Sequence, residues 1–396
     1  MDAVTVKNLD VVFGSTVNKA LELLDSGKTR QDILDQSGDV VAVHDASISV
    51  RQGEICVLMG LSGSGKSSLL RAVNGLNPIT RGSLEVRDGD QMVDLATCNE
   101  ETLRHLRSKR VSMVFQKFAL MPWLSVLDNV AFGLEMQGIP KPERRKRAME
   151  KIDMVGLSEW KDSFPHELSG GMQQRVGLAR AFTMDTDILL MDEPFSALDP
   201  LIRAQLQDEL IELQRQLNKT ILFVSHDLDE ALKIGTNIAI MESGKIIQHG
   251  RPEDIVLRPE NKYVEDFVSH TNPLNVLRGR SLMTDIAQLE RLDDMLVLNQ
   301  HEQTCLSTNG NGEILGASRQ GEALELLHWN EGENIANLKP DCVVVTPVDI
   351  SMRQALEIRY HTGQPVLLSD ESKIVGVLSD KDFYHALLGK HFSQAA

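Results

Sequence analysis

The chain has 396 residues, 42% of them hydrophobic and 25% charged, and a formal net charge of −16. That length exceeds one compact domain, so two are expected, and the composition is that of a globular protein with a buried core. The acidic balance argues against nucleic acid as the main partner and against electrostatic adhesion to anionic lipid.

Val4-Thr5-Val6 and Val11-Val12-Phe13 read as two short strands. Residues 15–38 depart from that pattern and are expected to form a small helical insertion. In it Ala20, Leu21, Leu23 and Leu24 cluster, Gly27 interrupts, and Thr29 with Asp32 resembles a capping box before Ile33 and Leu34. Residues 54–59 form a buried strand that runs into a glycine-rich turn, and 67–75 have helical spacing. Further strands are expected at 111–115, 188–191, 221–224 and 238–241, with helices at 143–155, 171–183, 200–217 and 229–234. Strands alternating with helices imply an α/β core with a largely parallel sheet.

A second region follows Asn272-Pro273, giving expected domains 1–272 and 273–396. Residues 339–390 read strand, helix, strand, strand, helix (342–345, 351–360, 365–368, 374–378, 381–388). Residues 282–327 resemble a worn copy: 304–307 answer 365–368, and Glu313-Ile314-Leu315-Gly316 answers Lys373-Ile374-Val375-Gly376. Two tandem repeats, the first degenerate, are expected. No stretch reaches the roughly 18 apolar residues of a membrane span. Residues 1–10 lack the features of a secretory signal. Cys56, Cys98, Cys305 and Cys342 form no CxxC pair, which suits reduced thiols in the cytosol and disfavours structural zinc or a disulfide framework.

Gly60-Leu61-Ser62-Gly63-Ser64-Gly65-Lys66-Ser67 is a GxxxxGKS motif placed directly after a strand and opening a helix. Glycines let backbone N–H groups turn inward around phosphates, and the helix N-terminus adds partial positive charge. Lys66 can reach the β- and γ-phosphates, and the Ser67 hydroxyl can ligate Mg2+. Ile188-Leu189-Leu190-Met191-Asp192-Glu193 is an apolar strand ending in two carboxylates, costly there unless they serve a cation or a proton. Asp192 suits the Mg2+ shell and Glu193 is placed to polarise an attacking water. Taken alone, such an acidic pair often only caps the next helix.

Leu168-Ser169-Gly170-Gly171-Met172-Gln173-Gln174 resembles the LSGGQ signature of the ABC transporter ATPase family, with Met172-Gln173 where the short consensus has Gln. The resemblance covers about residues 1–270, with the motifs in the expected order. It implies the ABC-type P-loop fold with a helical subdomain, ATP and Mg2+ as ligands, and a head-to-tail dimer. In that dimer Ser169, Gly170 and Gly171 of one copy grip the nucleotide on the 60–68 loop of another, Ser68 included. It also implies that Gln116 contacts Mg2+ and water, that His226 touches the γ-phosphate, and that Ser196-Ala197-Leu198-Asp199 crosses the dimer interface with Asp199 near the nucleotide. The family stacks an aromatic residue on adenine. Phe13 is the candidate for that position, and core packing is the equal alternative.

The 15–38 insertion, Met59 through Ser68, and Asn129-Val130-Ala131-Phe132-Gly133-Leu134-Glu135 resemble the quaternary-amine uptake branch, which serves glycine betaine, proline betaine and choline importers. Arg71-Ala72-Val73-Asn74-Gly75-Leu76-Asn77-Pro78 and Gln174-Arg175-Val176-Gly177-Leu178-Ala179-Arg180-Ala181-Phe182 look like the choline importer's ATPase. The second region resembles a CBS pair, which either binds adenine nucleotides, senses ionic conditions, or serves only docking. The final residues 391–396 lack a charged tail that would suggest an electrostatic osmotic sensor. The expected partners are a second copy, integral-membrane permease subunits seated near 116–129 (Phe118, Leu120, Met121 and Trp123, of which at least two are expected to be core instead), and indirectly a periplasmic solute-binding protein. The expected location is the cytoplasmic face of the inner membrane. A soluble repair or translation ATPase fits less well. Only 52 positions separate Gln116 from Leu168, too few for a long coiled coil, and the chain carries one ATPase core. An exporter ATPase is disfavoured by the CBS-like tail.

Overall fold

Strands Ile55–Met59, Val111–Val114, Ile188–Asp192 and Thr220–Val224 bury every one of their residues, as strands covered on both faces do. In the computed structural model they belong to a six-stranded sheet in the order Lys245–Gly250, Asn237–Glu242, Ile55–Met59, Thr220–Val224, Ile188–Asp192, Val111–Val114. All neighbours are parallel except the Lys245–Gly250 edge. The structure describes residues 1–116, 119–269, 271–292, 295–299, 303–308, 314–371 and 373–388. Phe118, Glu313 and residues 391–396, each named above, lie outside the described residues.

A second, antiparallel sheet has the order Val40–Arg51, Asp2–Phe13, Arg81–Asp88, Gln91–Asp94. The two short strands expected at the start are one strand, Asp2–Phe13, with register shifts around Asn8, whose φ of 46° interrupts the regular pleat. One core joins both sheets. Val4, Val6 and Val50 pack with Cys56, Leu58, Leu190 and Val224, and the helix Lys66–Val73 contributes Leu69, Leu70 and Val73 to the same cluster. The helix that follows the glycine-rich loop is therefore fixed by apolar contacts along its length, which immobilises the loop at its start.

The insertion is helical, Val17–Asp25 and Arg30–Ser37. The capping box is present: the Thr29 hydroxyl accepts from Asp32 N–H, and the Asp32 carboxylate accepts from Thr29 N–H. Ala20, Leu24 and Ile33 bury against Val12 and Val41. Helices Val126–Met136, Lys141–Met154 and Gly170–Thr183 pack on one another as a helical subdomain.

The chain divides into two units, Met1–Pro252 and Glu253–Ala396. The division falls earlier than the Asn272-Pro273 boundary expected from the sequence. The reason is apolar: Leu257 is buried with Leu274, Leu277 and Trp329 in the second unit's core. That unit holds a five-stranded mixed sheet, with Val343–Pro347, helix Met352–Thr362, Val366–Asp370, Lys373–Leu378 and helix Asp380–Leu388 in the expected strand–helix–strand–strand–helix order. Its other sheet is a five-stranded antiparallel meander from Arg291–Leu292 to Glu322–Leu324. Leu296, Leu298, Leu306 and Ala317 pack on Val343, Val345, Leu367 and Val377.

The worn copy keeps its hairpin, Thr304–Thr308 with Ile314–Arg319, antiparallel like Val366–Asp370 with Lys373–Leu378. It does not keep the crossover helix. Met295–Asn299 pairs antiparallel with Thr304–Thr308, and the short link between them cannot hold the dozen residues a parallel crossover needs.

Candidate functional site

The Gly60–Ser68 segment adopts backbone that only glycine takes easily. Gly60, Gly63 and Gly65 have φ of 142°, 78° and 103°. A Cβ on Gly60 would lie 2.1 Å from the Met241 carbonyl oxygen, and one on Gly65 would lie 2.4 Å from that of Ala42. Gly65 caps helix Lys66–Val73, so the first-turn N–H groups of that helix open onto the loop. Lys66 folds back into it: Nζ donates to the Gly60 carbonyl at 2.7 Å and to that of Leu61 at 3.0 Å. Burial lowers the Lys66 ammonium from its usual range, and the Glu193 and Asp192 carboxylates partly oppose this. Nζ also reaches the Ser64 hydroxyl at 3.5 Å. A buried cation held by neutral oxygens, within a cradle shaped by glycine, fits a triphosphate.

Asp192 ends the Ile188–Asp192 strand fully buried. Ser67 Oγ donates to one carboxylate oxygen at 2.7 Å, and Arg71 Nη2 donates to the other at 2.9 Å. Ser67 and Arg71 are four residues apart on one helix, so they present on one face. The hydroxyl–carboxylate pair of Ser67 and Asp192 is a hard-oxygen donor set suited to Mg2+. Glu193 follows in a left-handed conformation, φ 49°. Gln116 Nε2 donates to its Oε2 at 3.0 Å, and His226 Nδ1 lies 3.5 Å from the same oxygen. The three predicted catalytic residues thus meet at one carboxylate. Gln116 bonds to Glu193 here rather than to the Ser67–Asp192 pair. A cavity of about 30 Å3, room for a water molecule, is lined by Glu193, Ser196, Ser225, His226 and Glu230.

Other predicted residues stand apart from this centre. Ser169 caps helix Gly170–Thr183, its hydroxyl accepting from Met172 N–H, and Gly170 and Gly171 form the first turn. Asp199 caps Pro200–Leu217, accepting from Ile202 N–H at 3.1 Å. Phe13 ends its strand opposite Val40 and is exposed, not core. Leu120 and Met121 are half-buried and Trp123 is exposed. The loop that carries them is tied by buried Asn129, whose amide donates to the carbonyls of Met121, Leu124 and Ser125.

The sequence reading gave three contributors no role. Arg71 neutralises Asp192. Arg30, in the insertion, donates from Nε to the Val41 carbonyl at 2.6 Å and from Nη1 to the Gly63 carbonyl at 3.1 Å. Gln174 reaches the Glu193 backbone. Of these, only Arg71 was signalled by spacing, through its i,i+4 relation to Ser67.

A glycine-shaped phosphate cradle beside a strand-end carboxylate pair, Asp192 buried and Glu193 half-buried, on a mainly parallel sheet, defines a P-loop nucleoside triphosphatase. The ABC transporter family model matches residues 43–196. The chain is 48% identical over 378 residues to the glycine betaine transport ATP-binding protein OpuAA of Bacillus subtilis, covering 96% of this chain and 88% of that protein. It is 40% identical to the glycine betaine/carnitine transport ATP-binding protein GbuA of Listeria monocytogenes, covering 98% of each. It is also 40% identical to the glycine betaine/proline betaine transport system ATP-binding protein ProV of Salmonella typhimurium, covering 96% of each. A solved ABC cassette, a dimer in a post-hydrolysis state bound to ADP and Pi, superposes with a TM-score of 0.55 at 28% identity, covering 63% of this chain and 98% of that one. The chain belongs to the ATP-binding proteins of ABC transporters, in the glycine betaine and quaternary-amine uptake family. Like the family, it is an ATPase.

Proposed function

We propose that this chain drives import of a quaternary ammonium compound by hydrolysing ATP between two copies of itself. The observation that carries the site assignment is the Ser67–Asp192 hydrogen bond, which brings the phosphate loop and the acidic strand end together. In this assignment the 60–68 loop and Lys66 bind the triphosphate, and Phe13 carries the adenine. Ser67, Asp192 and, after it leaves Glu193, Gln116 would hold Mg2+, which offsets charge developing on the phosphates. Glu193 takes the proton of the attacking water, and His226 orients that water and the γ-phosphate by hydrogen bonds. Ser169, Gly170 and Gly171 open a helix of their own and make no hydrogen bond to the 60–68 loop among the described residues. They serve the loop of the second copy, with Asp199 at the same interface. The dimeric cassette with ADP and Pi supports this arrangement.

Permease subunits of the membrane dock near exposed Trp123, the chain works at the cytoplasmic face in this reading, and a periplasmic binding protein delivers the solute. No helix among the described residues is long and apolar enough to cross a membrane, so membrane attachment falls to those partners. The relatives' names favour glycine betaine over choline as the solute, against the expectation from the 71–78 segment. The second unit is a CBS-like regulatory region. Glu193→Gln should trap ATP and yield a stable ATP-dependent dimer, measured by light scattering with and without ATP. Rapid turnover in that variant would remove Glu193 from its role. Stimulation of the reconstituted transporter by choline but not glycine betaine would reverse the solute assignment.

A further inference from the structure

Helix Gly170–Thr183 does more than present Ser169. In its second turn Gln174 is 1% exposed. Its Nε2 donates to the Glu193 carbonyl at 3.2 Å, and its Oε1 accepts from Ala197 N–H at 3.1 Å. The one amide therefore grips both ends of the turn that starts at the catalytic carboxylate. Gly171, three residues earlier on the same face, rests on that turn too: a Cβ there would stand 3.5 Å from the Ala197 carbonyl oxygen and from Leu198. Glu193 needs external support, since a left-handed backbone is unfavourable for a side-chain-bearing residue. Its N–H donates to the Val224 carbonyl at 3.1 Å and its carbonyl accepts from Ser196 Oγ at 3.0 Å. Gln174 is the support that comes from the signature helix. A buried amide is retained at a cost unless both its ends are used, and here they are.

We propose that Gln174 is a positioning residue that links the two nucleotide sites. This rests on the sandwich-dimer reading above. There, the start of helix Gly170–Thr183 meets the second copy's triphosphate, while Glu193 acts on the chain's own. The Ser169 cap, one helical turn and the Gln174 amide make a short rigid path between them. When the signature docks, the helix start is held, and Gln174 holds the Glu193 backbone in register with it. Each copy's carboxylate is thus set by engagement of the other copy's nucleotide.

The test uses the full chain, three single variants and one double variant. Gln174→Met keeps length and apolar bulk but neither hydrogen bond. Gln174→Glu keeps the acceptor for Ala197 N–H and loses the donor to Glu193. Glu193→Gln supplies the ATP-dependent dimer. Gln174→Met should lower kcat 10- to 100-fold, with KM for ATP within about twofold, because a misplaced general base costs turnover and not binding. Its ATP dependence should lose cooperativity, with the Hill coefficient falling toward 1, and Gln174→Glu should fall between. The Gln174→Met/Glu193→Gln double variant should still form the ATP-dependent dimer. Should Gln174→Met fail to fold, Gln174→Glu decides, with the same kcat and Hill readouts. Wild-type kcat and cooperativity in a folded variant would overturn the proposal. If Glu193→Gln itself formed no ATP-dependent dimer, the sandwich reading would fail instead.

Discussion

Arg71→Met tests whether the arginine beside Asp192 is structural. The Asp192 side chain has no solvent exposure, and among the described residues its direct ion-pair partner is Arg71, at 2.9 Å, with the Lys66 ammonium acting on it electrostatically. Removing one member of a buried ion pair costs about 3–5 kcal/mol, because the other charge is left without compensation. Arg71 is 42% exposed, so water screens the pair and can follow the shortened side chain toward the carboxylate. The Ser67 hydroxyl also remains at 2.7 Å. The expected loss is therefore nearer about 2 kcal/mol. For a domain the size of Met1–Pro252, that lowers the melting temperature by about 4–8 °C. Calorimetry of the nucleotide-free chain measures it, and the Met1–Pro252 transition is the one to follow, since two units need not melt together. The same substitution in an Asp192→Asn background should cost about a quarter as much, because a neutral amide needs no cation. A melting temperature for Arg71→Met within about 1 °C of the wild type, or an equal loss in both backgrounds, would refute the reasoning.

Gly65→Ala and Gly63→Ala separate steric fit from backbone strain. At Gly65 the added methyl meets a main-chain oxygen at 2.4 Å in addition to an unfavourable φ, whereas Gly63 has open space around it. Gly65→Ala should cost about 3–5 kcal/mol and abolish ATP binding. Gly63→Ala should cost about 1 kcal/mol and only weaken it, as titration with a fluorescent nucleotide would show; equal effects would remove the steric argument. Burial pushes the Glu230 carboxyl above its usual value of 4.5, while hydrogen bonds from Ser225 and Gln207 oppose the shift. A group with a raised folded-state pKa keeps its proton longer in the folded chain, so stability falls as pH rises from 4.5 through that higher value. Glu230→Gln does not titrate. Its stability relative to wild type should therefore rise with pH across the same window, read from urea midpoints at pH 4 to 8, and a pH-independent difference would contradict the sign.

The legible parts of this protein are those in which chemistry and spacing are local. The GxxxxGKS loop, the apolar strand ending in Asp192 and Glu193, and the Thr29–Asp32 capping box each sit within a few residues, and each forms as the spacing requires. Fully buried strands are legible for a related reason: they are continuous apolar runs. The antiparallel sheet was hidden because Arg81–Asp88 is half-solvated and mostly polar, so its two buried residues, Leu84 and Val86, are too few to stand out. The degenerate repeat misled because a hairpin and a crossover begin with the same strand pattern. Only the length of the link between Asn299 and Thr304 separates them, and that length decides against a helix. The catalytic cluster is legible by residue type but not by contact. Gln116 and His226 converge on Glu193 from different strand ends, across a sheet whose order is not the order of the sequence. Gln174 illustrates the limit most sharply. Within its helix it is one polar residue among several in an apparent solvent-facing run. Its role exists only because the 193–197 turn folds against that helix and leaves two backbone groups that an amide of this length satisfies together. A site assembled by backbone partners leaves no pattern in side-chain spacing, so residues of this kind emerge only when each buried polar atom is matched to its partner.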